Sequence, residues 1–170
     1  RRNIALSTTS NHALVSGAVK AVTLRMLKGE KIANITDELN KLLEEKGHVF
    51  ENRTQKERVL GGYDKYIRRY VESEGRVLSF PTGKETVNLF GEEVIPNFDF
   101  YVQNGDNIEV CKIKTSNPDS LKSSNESLEL YAMNLWAKKM FPNAAKISAS
   151  YYHLKGPSDT GKNAKPTTDY

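Results

Sequence analysis

Pro96-Asn97-Phe98-Asp99-Phe100-Tyr101-Val102-Gln103-Asn104-Gly105-Asp106-Asn107-Ile108-Glu109-Val110-Cys111-Lys112-Ile113-Lys114-Thr115 is the stretch that decides the fold of this 170-residue chain. Asn104-Gly105-Asp106 is a hairpin signal, because a tight two-stranded turn needs residues that tolerate a left-handed backbone. The β-branched and aromatic residues on either side predict antiparallel strands over 94–102 and 107–114. That pairing sets Asp99 on one strand and Glu109, Lys112 and Lys114 on the next, and paired strands lie only about 4.8 Å apart. Alternation puts Lys112 and Lys114 on one face of the sheet. Glu109 faces the other way unless a bulge re-aims it. Cys111 points away from the lysines and behaves as a small buried hydrophobe.

Upstream of this hairpin the apolar period is near four, and after Gly75 it drops to two. Ser10 is placed to cap a first helix carrying Leu14, Ala18, Val22 and Met26 and closing near Gly29. A second helix starts near Asn34 or Thr36, carries Ile35, Leu39, Leu42 and Leu43, and stops at Lys46-Gly47. Thr54 and Glu57 have capping-box spacing for a third, through Val59, Tyr63, Ile67, Tyr70 and Val71 to Gly75. Short strands are predicted over 77–80 and 85–90, with Pro81-Thr82-Gly83-Lys84 as the turn between them. Downstream, Ser123 and Glu126 repeat the capping-box spacing before a helix over 124–141. Its apolar face reads Leu128, Tyr131, Ala132, Leu135 and Trp136, and Pro142 stops it. A last strand is predicted over 146–154. Helices, a strand meander, a helix and a final strand make an α+β fold on a central mixed β-sheet flanked by helices.

Hydrophobic content of 38 % and charged content of 27 % fit a globular chain. No apolar run reaches the length of a membrane span, and Arg1 to Leu6 is too short for a signal peptide. One cysteine excludes an intramolecular disulfide and a Cys-rich zinc site, so a reducing, cytoplasmic setting is the expectation. His12, His48 and His153 lack zinc-site spacing. Gly156-x₄-Gly161-Lys162-Asn163 has the spacing of a phosphate loop but lacks its final Ser/Thr and a following helix. Residues 156–170 read as a flexible tail or linker. With no initial Met and an abrupt end, the chain reads as a piece of a longer one.

In order along the chain, Asn11-His12, Pro-x-x-Asp99, the hairpin, Lys112-x-Lys114-Thr115 and Leu128-Glu129-Leu130-Tyr131 resemble the PD-(D/E)XK nuclease superfamily, in particular its RecB-type nuclease domain. The resemblance covers roughly His12 to Leu154 and implies a restriction-endonuclease-like core over residues 1–155. It implies phosphodiester hydrolysis of DNA with Mg²⁺ or Mn²⁺, exonuclease-like, in recombination, repair or a mobile element, alongside a helicase or another domain of a longer chain. Carried onto this sequence, Asp99 binds the metal, with His12 and Glu109 as further ligands. Lys114 is the catalytic lysine, Lys112 a phosphate contact or partial substitute, and Glu129 a water or DNA positioner.

The sequence departs from the family pattern in three respects. Lys112 stands where the last strand should carry an acid. Glu129 and Met133 take the places of a Gln and a Tyr on the helix. Asn97 competes with Asp99 for the first acid position. A lysine in an acid position repels a divalent cation, by about 4 kcal/mol per elementary charge at ~4 Å and an effective dielectric of 20. The alternative expectation is therefore a nuclease-like domain that has lost its chemistry and serves as a nucleic-acid-binding or structural module. A protein-interaction domain is the third.

Net charge is +4 at a pI near 9.0. From Leu130 to Ser158 there are four lysines and no acid. Lys112, Lys138, Lys139 and Lys146 are accordingly the expected DNA phosphate contacts, without base readout.

Overall fold

In the computed structural model, which describes residues 11–115 and 124–155, the chain divides close to the predicted change of period. One compact unit ends at Ser73 and the next begins at Glu74. The expected cap Ser10 and the tail 156–170 lie outside the described residues, as does Ser123.

The first unit packs three helices, α1 (Asn11–Leu27), α2 (Ile35–Glu45) and α3 (Arg53–Ser73), against one another. Val15, Ala18, Val19 and Val22 meet Ile35, Leu39, Leu43, Leu60, Ile67 and Tyr70 in a buried apolar core. α2 shows why these segments are helical. Its buried residues recur every four, the Asn34 side chain accepts the Asp37 N–H at 3.0 Å, and acids fill the first turn. It ends where Gly47 takes φ +75°, so that the His48 N–H reaches back to the Leu43 carbonyl at 2.9 Å. At the start of α3 the structure corrects the expected Thr54–Glu57 box. Asn52 is the cap, accepting the Gln55 N–H at 2.8 Å, while Glu57 pairs with Arg53 at 2.9 Å.

In the second unit β1 (Val87–Leu89) and β2 (Glu92–Val94) form a small hairpin. Phe90 and Gly91 supply its turn with φ values of 53° and 92°. β3 (Phe100–Asn104) and β4 (Asn107–Lys114) pair antiparallel through the predicted Gly105-Asp106 turn. After α4 (Ser124–Met140), β5 (Lys146–His153) pairs parallel to β4, from Asn107↔Lys146 to Lys114↔His153. The result is a three-stranded mixed sheet in the order β3-β4-β5. The α+β class and the mixed sheet are as expected.

Two strands differ from expectation. The one predicted over 77–80 is reduced to a single bridge, Ser79↔Tyr101. The one predicted over 94–102 is split into β2 and β3, because Pro96 has no N–H to continue a ladder.

Ile108 and Val110 of β4 and Ile147, Ala149 and Tyr151 of β5 pack beneath Leu130, Met133, Trp136 and Ala137 of α4. Ala132 and Trp136 of the predicted face are buried as expected and Leu135 packs against the core, but the stripe is shifted: Leu128 is exposed, while Leu130, Met133 and Ala137 are buried. Both sets of residues have helical spacing, so only packing chooses between them. Phe98 and Tyr101 extend the core against the Trp136 ring, at centroid distances of 4.7 and 5.3 Å.

Candidate functional site

Asp99 immediately precedes β3 and is buried against the edge of β4. Its N–H donates to the Cys111 carbonyl at 3.0 Å, and its Oδ2 accepts the Ile113 N–H at 2.7 Å. The carboxylate thus takes over the role of a ladder carbonyl at the residue between Lys112 and Lys114. Asn97, the competing acid position, is exposed. Between the two, Asp99 is the one joined to β4.

Lys112 projects from β4 toward α4, where its Nζ lies 2.5 Å from Glu129 Oε2. Its side chain is only 9 % exposed. The other oxygen of Glu129 accepts the Tyr151 hydroxyl, and Tyr151 is the β5 residue in register with Lys112. Lys114 sits over the Tyr151 ring, Nζ 4.6 Å from its centroid, a cation–π contact. His153, in register with Lys114, is buried with its ring 6.5 Å from that of Tyr151. Burial alone raises the Glu129 pKa, but the hydrogen bonds from Lys112 and Tyr151 and the charges of both lysines outweigh it. The carboxyl is held below its ordinary value.

Asp99, Lys112, Lys114 and Glu129 therefore all lie toward the C-terminal end of β4. Tyr151 was not anticipated. Its only sequence signal is a polar-tipped aromatic sharing a strand face with Ile147 and Ala149.

Glu109 does not join this group, which corrects its expected role as a ligand beside Asp99. The β3–β4 ladder runs unbroken from Phe100↔Cys111 to Asn104↔Asn107, so no bulge turns Glu109 round. On the opposite face it accepts the Tyr152 hydroxyl at 2.8 Å and pairs with Arg76 at 2.7 Å. His12 is exposed on α1, within the helical unit.

Lys138 and Lys139 lie in the last turn of α4, and Lys146 starts β5. The Lys146 pair and the Lys114 pair are seven residues apart along β4, about 23 Å at roughly 3.3 Å per residue. The three lysines are thus toward the far end of the sheet from Asp99 and Glu129. Lys139 also donates to the Thr86 carbonyl at 2.6 Å, which makes it a structural tie.

The donor set does not fit a divalent metal as it stands. Among the described residues no group of three His, Cys, Asp or Glu converges as a metal site. Both Glu129 oxygens have partners and an ammonium lies between β4 and α4. Two carboxylates and two lysines sum to no net charge, which gives a dication little to bind.

Compared with known proteins, the chain matches no family model and no curated protein. No helix among the described residues is long and apolar enough to cross a membrane.

Proposed function

We propose that residues 74–155 are a PD-(D/E)XK-type core that binds nucleic-acid phosphates without metal-dependent hydrolysis. The restriction-endonuclease-like description is supported by the order of parts: a hairpin, a helix and a parallel return strand, with Asp99, Lys112 and Lys114 at one end of β4. The observation that carries loss of hydrolysis is the ion pair of Lys112 with Glu129. It puts a positive charge where the superfamily has an acid. Lys114, less buried than Lys112, remains the cation able to meet a phosphate.

A second reading is a working Mg²⁺- or Mn²⁺-dependent DNA nuclease of RecB type, in which Asp99 and Glu129 are the two carboxylates. What favours it is that Glu129, although placed on α4, reaches the same end of β4 as Asp99.

Cleavage of linear and single-stranded DNA with each metal, run beside binding anisotropy at several salt concentrations, separates the two. Salt-dependent binding with no cleavage is the expected result. Cleavage that disappears in Lys114→Ala or Asp99→Ala establishes the nuclease instead. No binding even at low salt replaces both with a protein-interaction domain.

A further inference from the structure

The geometry points to Lys112 as the resident cation of this site, supplying through its ammonium the positive charge that a divalent metal supplies in a nuclease of this type. The inference rests on the PD-(D/E)XK-type reading of the core and deepens it, because it names the residue that decides whether a metal binds.

An ammonium removed from water is costly unless carboxylates and hydrogen bonds replace its hydration. Here the Lys112 side chain is almost wholly covered, and Glu129 lies at hydrogen-bond distance. The same carboxylate takes the Tyr151 hydroxyl, so its geometry is fixed from β5 as well as from β4. Asp99 is anchored one residue along β4 by the Ile113 N–H. Lys112 thus holds a carboxylate from α4 against the sheet, as a bound cation would. It is not available as the phosphate contact that the sequence suggested.

The consequence concerns charge. With Lys112, the acids Asp99 and Glu129 are balanced by two lysines. With an acid at position 112 instead, three carboxylates would stand at the end of β4 against Lys114 alone, a hard-oxygen set suited to Mn²⁺ or Mg²⁺. One side chain therefore separates a metal site from an internally neutralised one.

The test is calorimetric titration of the whole chain with MnCl₂ and no DNA, together with melting in Mn²⁺ and in EDTA. Wild type is expected to show no saturable heat and the same melting temperature in both. Lys112→Glu is expected to bind Mn²⁺ at least about tenfold more tightly and to melt higher in Mn²⁺ than in EDTA. Adding Asp99→Asn to that variant should remove the gain. Saturable Mn²⁺ binding by wild type that Asp99→Asn abolishes would overturn the inference. So would a Lys112→Glu variant with a native circular dichroism spectrum and no Mn²⁺ binding. Should Lys112→Glu not fold, Lys112→Gln removes the charge at similar length. It should then bind Mn²⁺ more tightly than wild type, and no gain there overturns the inference too. DNA anisotropy plays no part in these outcomes, so a chain that fails to bind DNA leaves this inference to be judged on Mn²⁺ alone.

Discussion

The Tyr152 hydroxyl lies 2.8 and 2.9 Å from the two carboxylate oxygens of Glu109, on the face of the sheet away from Lys112. Arg76 completes the arrangement, with Nη1 2.7 Å from Glu109 and its guanidinium 5.3 Å over the Tyr152 ring. Glu109 is therefore a structural acid that joins β4 to β5 and to the segment before β1. Glu109→Ala removes the carboxylate that accepts the Tyr152 hydroxyl and one of the two acids on Arg76, which keeps its pair with Glu74, and should cost about 1–3 kcal/mol in urea unfolding. Its DNA affinity should equal that of wild type. A loss of affinity at unchanged stability would return Glu109 to the site.

The stability of the site should depend on acid. Glu129 titrates below its ordinary value of 4.5 in the folded chain, so its contribution is complete above the unfolded pKa. It is lost as pH falls through the folded one. The stability gap between wild type and Glu129→Gln should be widest near neutral pH and close progressively below about pH 4.5. Urea unfolding across that range measures it. A gap independent of pH would mean that the Glu129 side chain matters for packing and not for charge.

The lysines at the two ends of the sheet should behave differently in salt. Lys114→Gln removes a phosphate contact and should lower the log–log salt slope of duplex binding by about 0.9. Lys139→Gln should leave the slope unchanged but cost about 0.5–1.5 kcal/mol, because its hydrogen bond to the Thr86 carbonyl is lost. Anisotropy and urea titrations on both variants check this, and a reversed pattern would put the DNA path at the far end.

Cys111 should be unreactive in the native chain. Burial, with the Glu109 charge beside it, pushes its thiol well above the usual range. The thiolate that attacks an alkylating agent is then almost absent. Iodoacetamide at mildly alkaline pH should label it only after urea is added, as read by intact mass. Rapid labelling without urea would show that β4 opens readily.

The parts legible in the sequence are those whose energetics are local. The second helix can be read from Asn34, the four-residue spacing of Ile35, Leu39 and Leu43, and Gly47, because cap, stripe and stop all lie within one segment. The turn from Asn104 to Asn107 is read in the same way, and with it the strand alternation that sends Glu109 to one face and Lys112 and Lys114 to the other. Even Pro96, misread as part of a strand, carries in its missing N–H the reason that the strand is broken there.

Tertiary structure decided the partners. Lys112 and Glu129 are 17 residues apart in sequence, and Glu129 and Tyr151 are 22 apart. Their meeting depends on how far α4 is rotated about its own axis and on the parallel register of β5 against β4. No local propensity distinguishes one rotation of α4 from another, since a stripe through Leu128 and Tyr131 and a stripe through Met133 and Ala137 both have helical spacing. Burial against Val110 and Ala149 selects the second, and that rotation brings Glu129 onto Lys112. Residue types alone thus placed two lysines and an acid at the end of a strand. Long-range packing determined that one of those lysines is neutralised from within.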